Sequence, residues 1–556
     1  MSRRNLLVQL TLCALPLPLL ARDPVREPKA MVVAQEPLAT DAGVAVLKAG
    51  GNAVDAAVAV AFALAVTHPT AGNLGGGGFL LVRKANGETA FFDFRERAPA
   101  KASRDMYLGA DGKPTRDSIV GWRAAGVPGT THGLETAHKK HGSKSWDELL
   151  APAVKLARGF PVSYSLARSL RSSAKLLAQF PESNRIFLRN GKFFERGETL
   201  VQPDLARVLE RIARHGAKDF YEGETALNLA AAMASHGGLI TLADLKNYRT
   251  VERKPLTGAY RGYQVISAPP PSSGGVGMLQ MMGMLEASGY EKHGQGAAAA
   301  IHYVAETMRR FYADRSEYLA DPDFFKVPVS GLLSKAYIAR QRASIDWDRA
   351  SSSDRVGPGK PAREESAETT HFSIVDPQGN AAALTYTING GYGNGVVVPG
   401  LGFLLNNEMD DFSAKPGVAN MFGLVQGDAN AIQPNKRPLS SMTPTIIVRE
   451  GKLFLVAGAP GGSRIITGVL QVILNIIDFR MNVQEAIDAP RFHHQWQPDK
   501  LMLERGFSPD TIALLKARGH SIDSIPGVAL VEAIQIEENR LAGGTDRRGH
   551  GKAAGF

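Results

Sequence analysis

Two hydrophobic rhythms divide this chain, and they meet at residue 369. Ahead of that point most apolar positions recur with a helical period. Residues 41–48 form a short amphipathic pattern stopped by Gly50-Gly51, and Asn52 caps a second run of alanine, valine and leucine reaching Val66. That run is apolar nearly all round, yet at about 15 residues it is too short to span a bilayer comfortably. It is therefore predicted as a buried core helix, although it carries Asp55. A glycine run, Gly75 to Gly78, leads into a predicted strand at 79–83; Asn86-Gly87 supplies a hairpin turn and the return strand is 89–94. The run precedes a strand instead of joining a strand to a helix, which favours close backbone packing over phosphate binding. Helical patterns dominate 146–234, with Ser145 as cap and Asp147 and Glu148 in the first turn. A rigid loop, Pro269 to Gly275, opens another helix at 276–287, and a helix-rich stretch runs on to about residue 345. Residues 351–368 are rich in Ser, Pro, Gly and charge, and are read as a flexible linker.

The second rhythm begins at Thr369-Thr370-His371-Phe372-Ser373. Residues 369–375 and 381–388 alternate polar and apolar positions in part, and Asp376 to Asn380 between them is dense in turn formers. A hairpin closing there pairs Val375 with Ala381 and, stepping outward, Thr369 with Thr387. Thr369, His371 and Ser373 then share one face, Thr370, Phe372 and Ile374 take the other, and Asn389 projects from the polar face. Either this is an ordinary solvated hairpin face, or a hydroxyl, a partner hydroxyl and an amide converge for chemistry. A threonine freed as an N-terminus carries nucleophile and base on one residue, because its hydroxyl attacks while its own α-amine accepts the proton. An internal threonine has no such amine, so the chemical reading requires a cut between Glu368 and Thr369.

Farther on, Gly461-Gly462 lies between a predicted strand at 453–457 and a helix at 465–477. Unpaired N–H groups at such a junction favour negative charge and suit an oxyanion hole, where one lost donor costs about 2.7–4 kcal/mol of barrier. A plain tight turn is the alternative. Arg95, ending its strand, offers a bidentate grip on a carboxylate, or is a surface arginine. Glu408 and Asp411 offer acceptors for a substrate ammonium, or form an acidic surface turn. His371, His493 and His494 lack metal-ligand spacing and are read as structural, and no metal is assigned.

Composition narrows these choices. With 556 residues, 44% hydrophobic and 21% charged, the chain has ordinary globular usage. Arg3 and Arg4, an apolar stretch at 6–20 and Ala21 before Arg22-Asp23-Pro24 read as a secretory signal, residues 1–21, which predicts a periplasmic or secreted protein. The single cysteine, Cys13, lies inside it, so the mature chain has no disulfide, thiolate metal site or cysteine nucleophile. The net charge of +10 is scattered without basic runs, which argues against nucleic-acid binding.

Several strings together resemble the γ-glutamyltranspeptidase (glutathione hydrolase) family, within the N-terminal nucleophile hydrolase superfamily. They are Thr-Thr-His-Phe-Ser at 369–373, Thr385-Tyr386-Thr387, Asn406 through Ser413, Pro438 through Met442, and Pro460-Gly461-Gly462-Ser463-Arg464. Asn73 to Gly78, Phe94-Arg95-Glu96, the Pro-Ser-Ser-Gly-Gly loop and Ala489 to His494 belong with them. The resemblance implies an α/β (α+β) fold, a four-layer α-β-β-α sandwich, cut autocatalytically into a large subunit, 22–368, and a small one, 369–556, that form one intertwined unit. It further implies that Thr369 attacks a γ-glutamyl donor such as glutathione, and that Thr387 orients it. Gly461 and Gly462 would form the oxyanion hole; Arg95, Ser440 and Ser441 would hold the α-carboxylate; Asn389, Glu408 and Asp411 would hold the α-amine. Water or the amine of an amino acid or dipeptide would resolve the acyl-enzyme, with no cofactor. Two departures stand out: Phe422, in a lid-like loop where some members carry tyrosine, and Asp546-Arg547-Arg548 in place of Asp-Pro-Arg. The competing expectations are a related acylase (cephalosporin acylase or poly-γ-glutamate hydrolase) and a catalytically inactive secreted binding protein.

Overall fold

Residues 22–361 and 371–556 are described by the computed structural model of the chain. The predicted leader and the predicted cut, with Glu368 and Thr369, lie outside the described residues.

Two antiparallel seven-stranded sheets stack face to face. The first runs Lys552–Gly555, Met31–Ala34, Phe372–Val375, Ala381–Thr387, Gly77–Arg83, Thr89–Phe94, Val251–Arg253. The second runs Val25–Glu27, Arg540–Thr545, Glu532–Glu537, Lys452–Gly458, Thr445–Arg449, Tyr263–Ser267, Leu256–Tyr260. Helices Pro37–Lys48, Ala53–Thr67 and Thr130–His141 cover the outer face of the first sheet; Gly274–Leu285, Ile465–Ile477 and Val483–Asp488 cover that of the second. The result is the expected four-layer α-β-β-α sandwich. Segments on either side of 362–370 interleave in both sheets, so neither sheet is complete without both parts of the chain.

Local chemistry explains why the key elements form. Asn52 accepts from the N–H groups of Val54 and Asp55, while Asp55 accepts from the Asn52 N–H at 2.9 Å, a reciprocal cap worth about 1 kcal/mol. Every residue of Ala53–Thr67 is buried, as its all-round apolarity demands. The hairpin has the expected register, Val375 opposite Ala381 and Phe372 opposite Leu384. Its turn closes on Asp376, whose Oδ1 accepts from the N–H groups of Gln378 and Asn380. The other carboxylate oxygen accepts from the Ala53 N–H at 3.0 Å and pins the hairpin to the buried helix.

Two expectations change. The His371–Ser373 face is not solvated: it packs between the sheets, where Ser373 Oγ donates to the Val456 carbonyl at 3.2 Å. Burial also lowers the His371 pKa to about 3, leaving a neutral ring whose Nδ1 lies 3.3 Å from Thr385 Oγ1. Alternation specified the two faces, but only the second sheet decided that the polar one is covered. The first part of the supposed flexible linker, 351–361, is tied down as well. Ser353 N donates to Asp499 at 2.7 Å, Trp496 Nε1 donates to the Val356 carbonyl at 2.6 Å, and Gly359 N donates to Asp314 at 2.8 Å. These partners are distant in sequence, so local composition could not reveal them.

Candidate active site

At the end of strand Ala381–Thr387 a cavity of about 80 Å³ opens between the sheets and their loops. Thr387, Asn389, Glu408, Asp411, Ser440, Ser441, Gly461 and Gly462 all line it. These predicted site residues come from four separate stretches of sequence, and the fold brings them to one place. Thr369, the predicted nucleophile, lies outside the described residues.

Each wall has a traceable cause. Thr387 Oγ1 accepts from the Asn389 N–H at 2.7 Å, which bends the chain out of the strand and places Asn389 at φ 70°, a left-handed conformation that asparagine tolerates. Asn389 Nδ2 donates to the Asn407 carbonyl at 3.0 Å. The acidic turn Glu408–Asp411 is set by Asn406, whose Oδ1 accepts from the N–H groups of Glu408 and Gly126 and whose Nδ2 donates to the carbonyls of Gly75 and Gly126. The Pro-Ser-Ser-Gly-Gly loop props the opposite wall. Ser273 Oγ donates to the Ser440 carbonyl at 2.8 Å and Ser272 Oγ to the Met442 carbonyl at 3.0 Å.

Arg95 is not a surface arginine. It is fully buried behind the acidic turn, forming a close ion pair with Glu408, donating to Asp411 Oδ2 at 2.6 Å and lying 3.4 Å from Glu96. The acidic turn is likewise buried, not exposed. Three carboxyl groups thus surround one guanidinium. Burial pushes the Glu408 carboxyl well above its usual range, with Arg95 opposing and Glu96 and Asp411 reinforcing the shift. Burial likewise raises Glu96 to about 7 and raises Asp411, again against Arg95. Glu408 Oε2 has no hydrogen-bond partner among the described residues. An acceptor left open in a buried, acid-rich corner beside a guanidinium suits an α-amino acid group, with its adjacent ammonium and carboxylate.

Gly461 and Gly462 occupy the strand-to-helix junction, at φ 145° and 57°. Both values disfavour a side chain, and a Cβ would fall 2.8 Å from the Ala529 backbone at Gly461 and 2.7 Å from the Phe422 ring at Gly462. Among the described residues neither N–H donates to a protein acceptor. Two such donors at the start of a helical turn can receive developing negative charge.

Residue-by-residue reading of the sequence missed Arg315. It sits near the end of the helix Ala298–Tyr318, lines the cavity, and donates to Ser441 Oγ at 3.2 Å and Ser273 Oγ at 3.0 Å. No local signal singled it out, because the same helix also carries Glu306, Arg309, Arg310 and Asp314. Phe422 and Leu424, from the loop at 413–435, close the remaining wall. Among the described residues His302, Glu306 and His520 have ligand atoms close enough to hold a metal ion. None of them lines this cavity, and both Glu306 oxygens are already engaged by Arg309 and Arg310.

Comparison with known proteins places the chain in a family. The family model described as gamma-glutamyltranspeptidase matches residues 39–556. A glutathione hydrolase proenzyme of Escherichia coli (strain K12) is 52% identical over 529 residues, covering 94% of this chain and 91% of its own. Among solved structures, a cephalosporin acylase from Bacillus halodurans superposes with a TM-score of 0.86 at 28% identity, covering 99% of both chains. The Helicobacter pylori gamma-glutamyltranspeptidase superposes with a TM-score of 0.58 at 44% identity, covering 59% of this chain and 94% of that one. With its fold and its length from residue 39 in agreement, the chain belongs to the γ-glutamyltranspeptidase family.

Proposed function

We propose that the chain is a γ-glutamyltransferase and glutathione hydrolase, made as a precursor and cut between Glu368 and Thr369. The resulting subunits, 22–368 and 369–556, stay together because their strands interleave in both sheets. One observation carries the reading: a polar corner, Glu408 and Asp411 backed by Arg95, lines the same cavity as Thr387 and the Gly461-Gly462 turn.

In this mechanism the Thr369 hydroxyl oxygen bonds to the γ-carbonyl carbon, and its proton passes to the α-amine of the same residue. Thr387 orients the nucleophile; the observed hairpin register is the one on which their pairing rests. The carbonyl oxygen becomes an oxyanion facing Gly461 and Gly462. Collapse breaks the γ-amide bond, the α-amine returns the proton to the departing amine, and an ester remains. Water then releases glutamate, or the amine of an amino acid or dipeptide takes the γ-glutamyl group. Arg95, Ser440 and Ser441 hold the donor α-carboxylate, and Asn389, Glu408 and Asp411 its ammonium. Such an enzyme would work in the periplasm or be secreted after losing residues 1–21, and among the described residues no helix is long and apolar enough to cross a membrane.

The second reading, a cephalosporin-type acylase, is favoured by the superposition with the Bacillus halodurans structure. The acid-rich corner opposes it, because a donor lacking an α-amino group would leave those buried groups unmatched. The test is release of a chromogenic amine from a γ-glutamyl anilide, with and without a dipeptide acceptor. Wild-type protein should run as two chains, release the amine and respond to the acceptor, whereas Thr369→Ala should remain one uncut chain without activity. Efficient cutting of that variant, or turnover of a cephalosporin side chain in place of the anilide, would defeat the proposal.

A further inference from the structure

The loop at 413–435 lacks a hydroxyl at Phe422, yet it is firmly attached. Its tip is folded on itself: Asn420 Oδ1 accepts from the N–H groups of Phe422 and Leu424, and Gly423 N donates back to the Asn420 carbonyl. One side of the tip is fixed by the Met421 N–H, which donates to Asp410 Oδ2 at 3.0 Å. The other side is fixed by Gln495, a buried side chain from the loop after strand Phe492–His493. Its Nε2 donates to the carbonyls of Gly423 at 3.0 Å and Phe422 at 3.2 Å. Two carbonyls on that side require the amide nitrogen there, which leaves Oε1 facing the opposite way. Oε1 accepts from Ser463 Oγ at 2.9 Å and lies 2.9 Å from His493 Nε2. Burial lowers the His493 pKa to about 3, so the ring is neutral; Nε2 carries its proton and Nδ1 faces Thr467 Oγ1 at 2.8 Å.

Ser463 directly follows the glycine pair, and the Phe422 ring covers Gly462. We propose that Gln495 is a positioning residue that clasps the cavity-closing loop through its backbone and links that loop to the oxyanion turn through Ser463. This rests on the γ-glutamyl transfer proposed above. The clasp makes closure independent of the side chain at 422, since its acceptors are main-chain carbonyls. It also couples the two walls: a loop that swings away takes both acceptors from the amide that orients Ser463.

Gln495→Glu and Gln495→Met separate the two halves of the clasp. The glutamate keeps an acceptor for Ser463 and His493 and, once ionised as pH rises, offers the loop no donor, so the kinetics are followed up a rising pH series to the ionised limit. Steady-state kinetics on the γ-glutamyl anilide should show KM raised about tenfold with kcat within about threefold, the loss of two neutral hydrogen bonds. Chymotryptic cleavage after Phe422 in the processed protein should quicken about tenfold as well. Gln495→Met loses both halves, so kcat should also fall, by about tenfold. Should the methionine variant fail to fold, Ser463→Ala replaces it, with kcat expected to fall while KM and clipping stay near wild type. The proposal is overturned if Gln495→Glu keeps the wild-type KM and clipping rate, or if every variant loses kcat and thermal stability together without a change in KM. If wild-type protein releases no amine at all, the γ-glutamyl reading fails, while the clipping rates still report on the clasp.

Discussion

Two buried arginine–carboxylate clusters, built from the same side chains, behave in opposite ways. In the cavity corner one guanidinium, Arg95, faces three carboxyl groups, and Glu408 keeps an oxygen unpartnered among the described residues. In the helix Ala298–Tyr318 two guanidinium groups, Arg309 and Arg310, share the carboxylate of Glu306, whose Oε1 also accepts from the Ser351 N–H, and Arg309 pairs with Asp499 as well. There Arg309 and Arg310 overcome the upward push of burial and hold Glu306 at about 2, whereas in the corner burial dominates and the carboxyl groups are raised. Burial is common to both; charge balance and hydrogen-bond completeness differ. A saturated cluster holds the structure together, and an unsaturated one is ready for a ligand with donors to spare.

Breaking the saturated cluster should have the largest effect. Glu306→Gln leaves the buried Arg310 without its anion and Arg309 with Asp499 alone, so denaturant unfolding should show a loss of about 3–5 kcal/mol. Surviving enzyme should keep kcat/KM for the anilide within about threefold. If activity falls and stability does not, the assignment of roles is reversed. Next in size, Arg95→Lys retains the charge but loses the fork that reaches Glu408 and Asp411 together. Anilide kcat/KM should drop about 100-fold, mainly through KM, with a smaller change in unfolding midpoint than Glu306→Gln produces.

The smallest effect is a difference in pH slope. Glu306 has a depressed folded pKa, so its stabilisation is present above the unfolded value and is lost as pH falls from about 4.5 towards 2. Glu96 has a raised one, so the folded state holds its proton longer, and stability is lost as pH rises from about 4.5 through 7. Relative to wild type, the stability profiles of Glu306→Gln and Glu96→Gln should each lose one of these opposing slopes. A Glu96→Gln profile unchanged between pH 4.5 and 7 would contradict the raised pKa.

Much of this was legible in the chain because it depends on neighbours in sequence. The Asn52 cap, the return strand Thr89–Phe94, the helix Ile465–Ile477 and the hairpin register all follow from patterns spanning a few residues. The family strings then assigned roles to residues whose local context pointed elsewhere: on their own, Arg95 read by default as a surface arginine and Glu408 as part of an acidic surface turn.

By itself, then, the sequence determined the elements, the two faces of the hairpin, the candidate threonine and the absence of thiols beyond Cys13. Tertiary structure alone decided that the His371–Ser373 face is covered by a second sheet, and that residues 351–361 are anchored. It also decided that Arg95 is buried among three carboxyl groups, that Arg315 reaches the cavity, and that Gln495 meets the loop covering it. The reason is physical: periodicity and capping act over a turn or a strand, whereas burial, charge balance and side-chain hydrogen bonds depend on what other layers of the sandwich bring alongside.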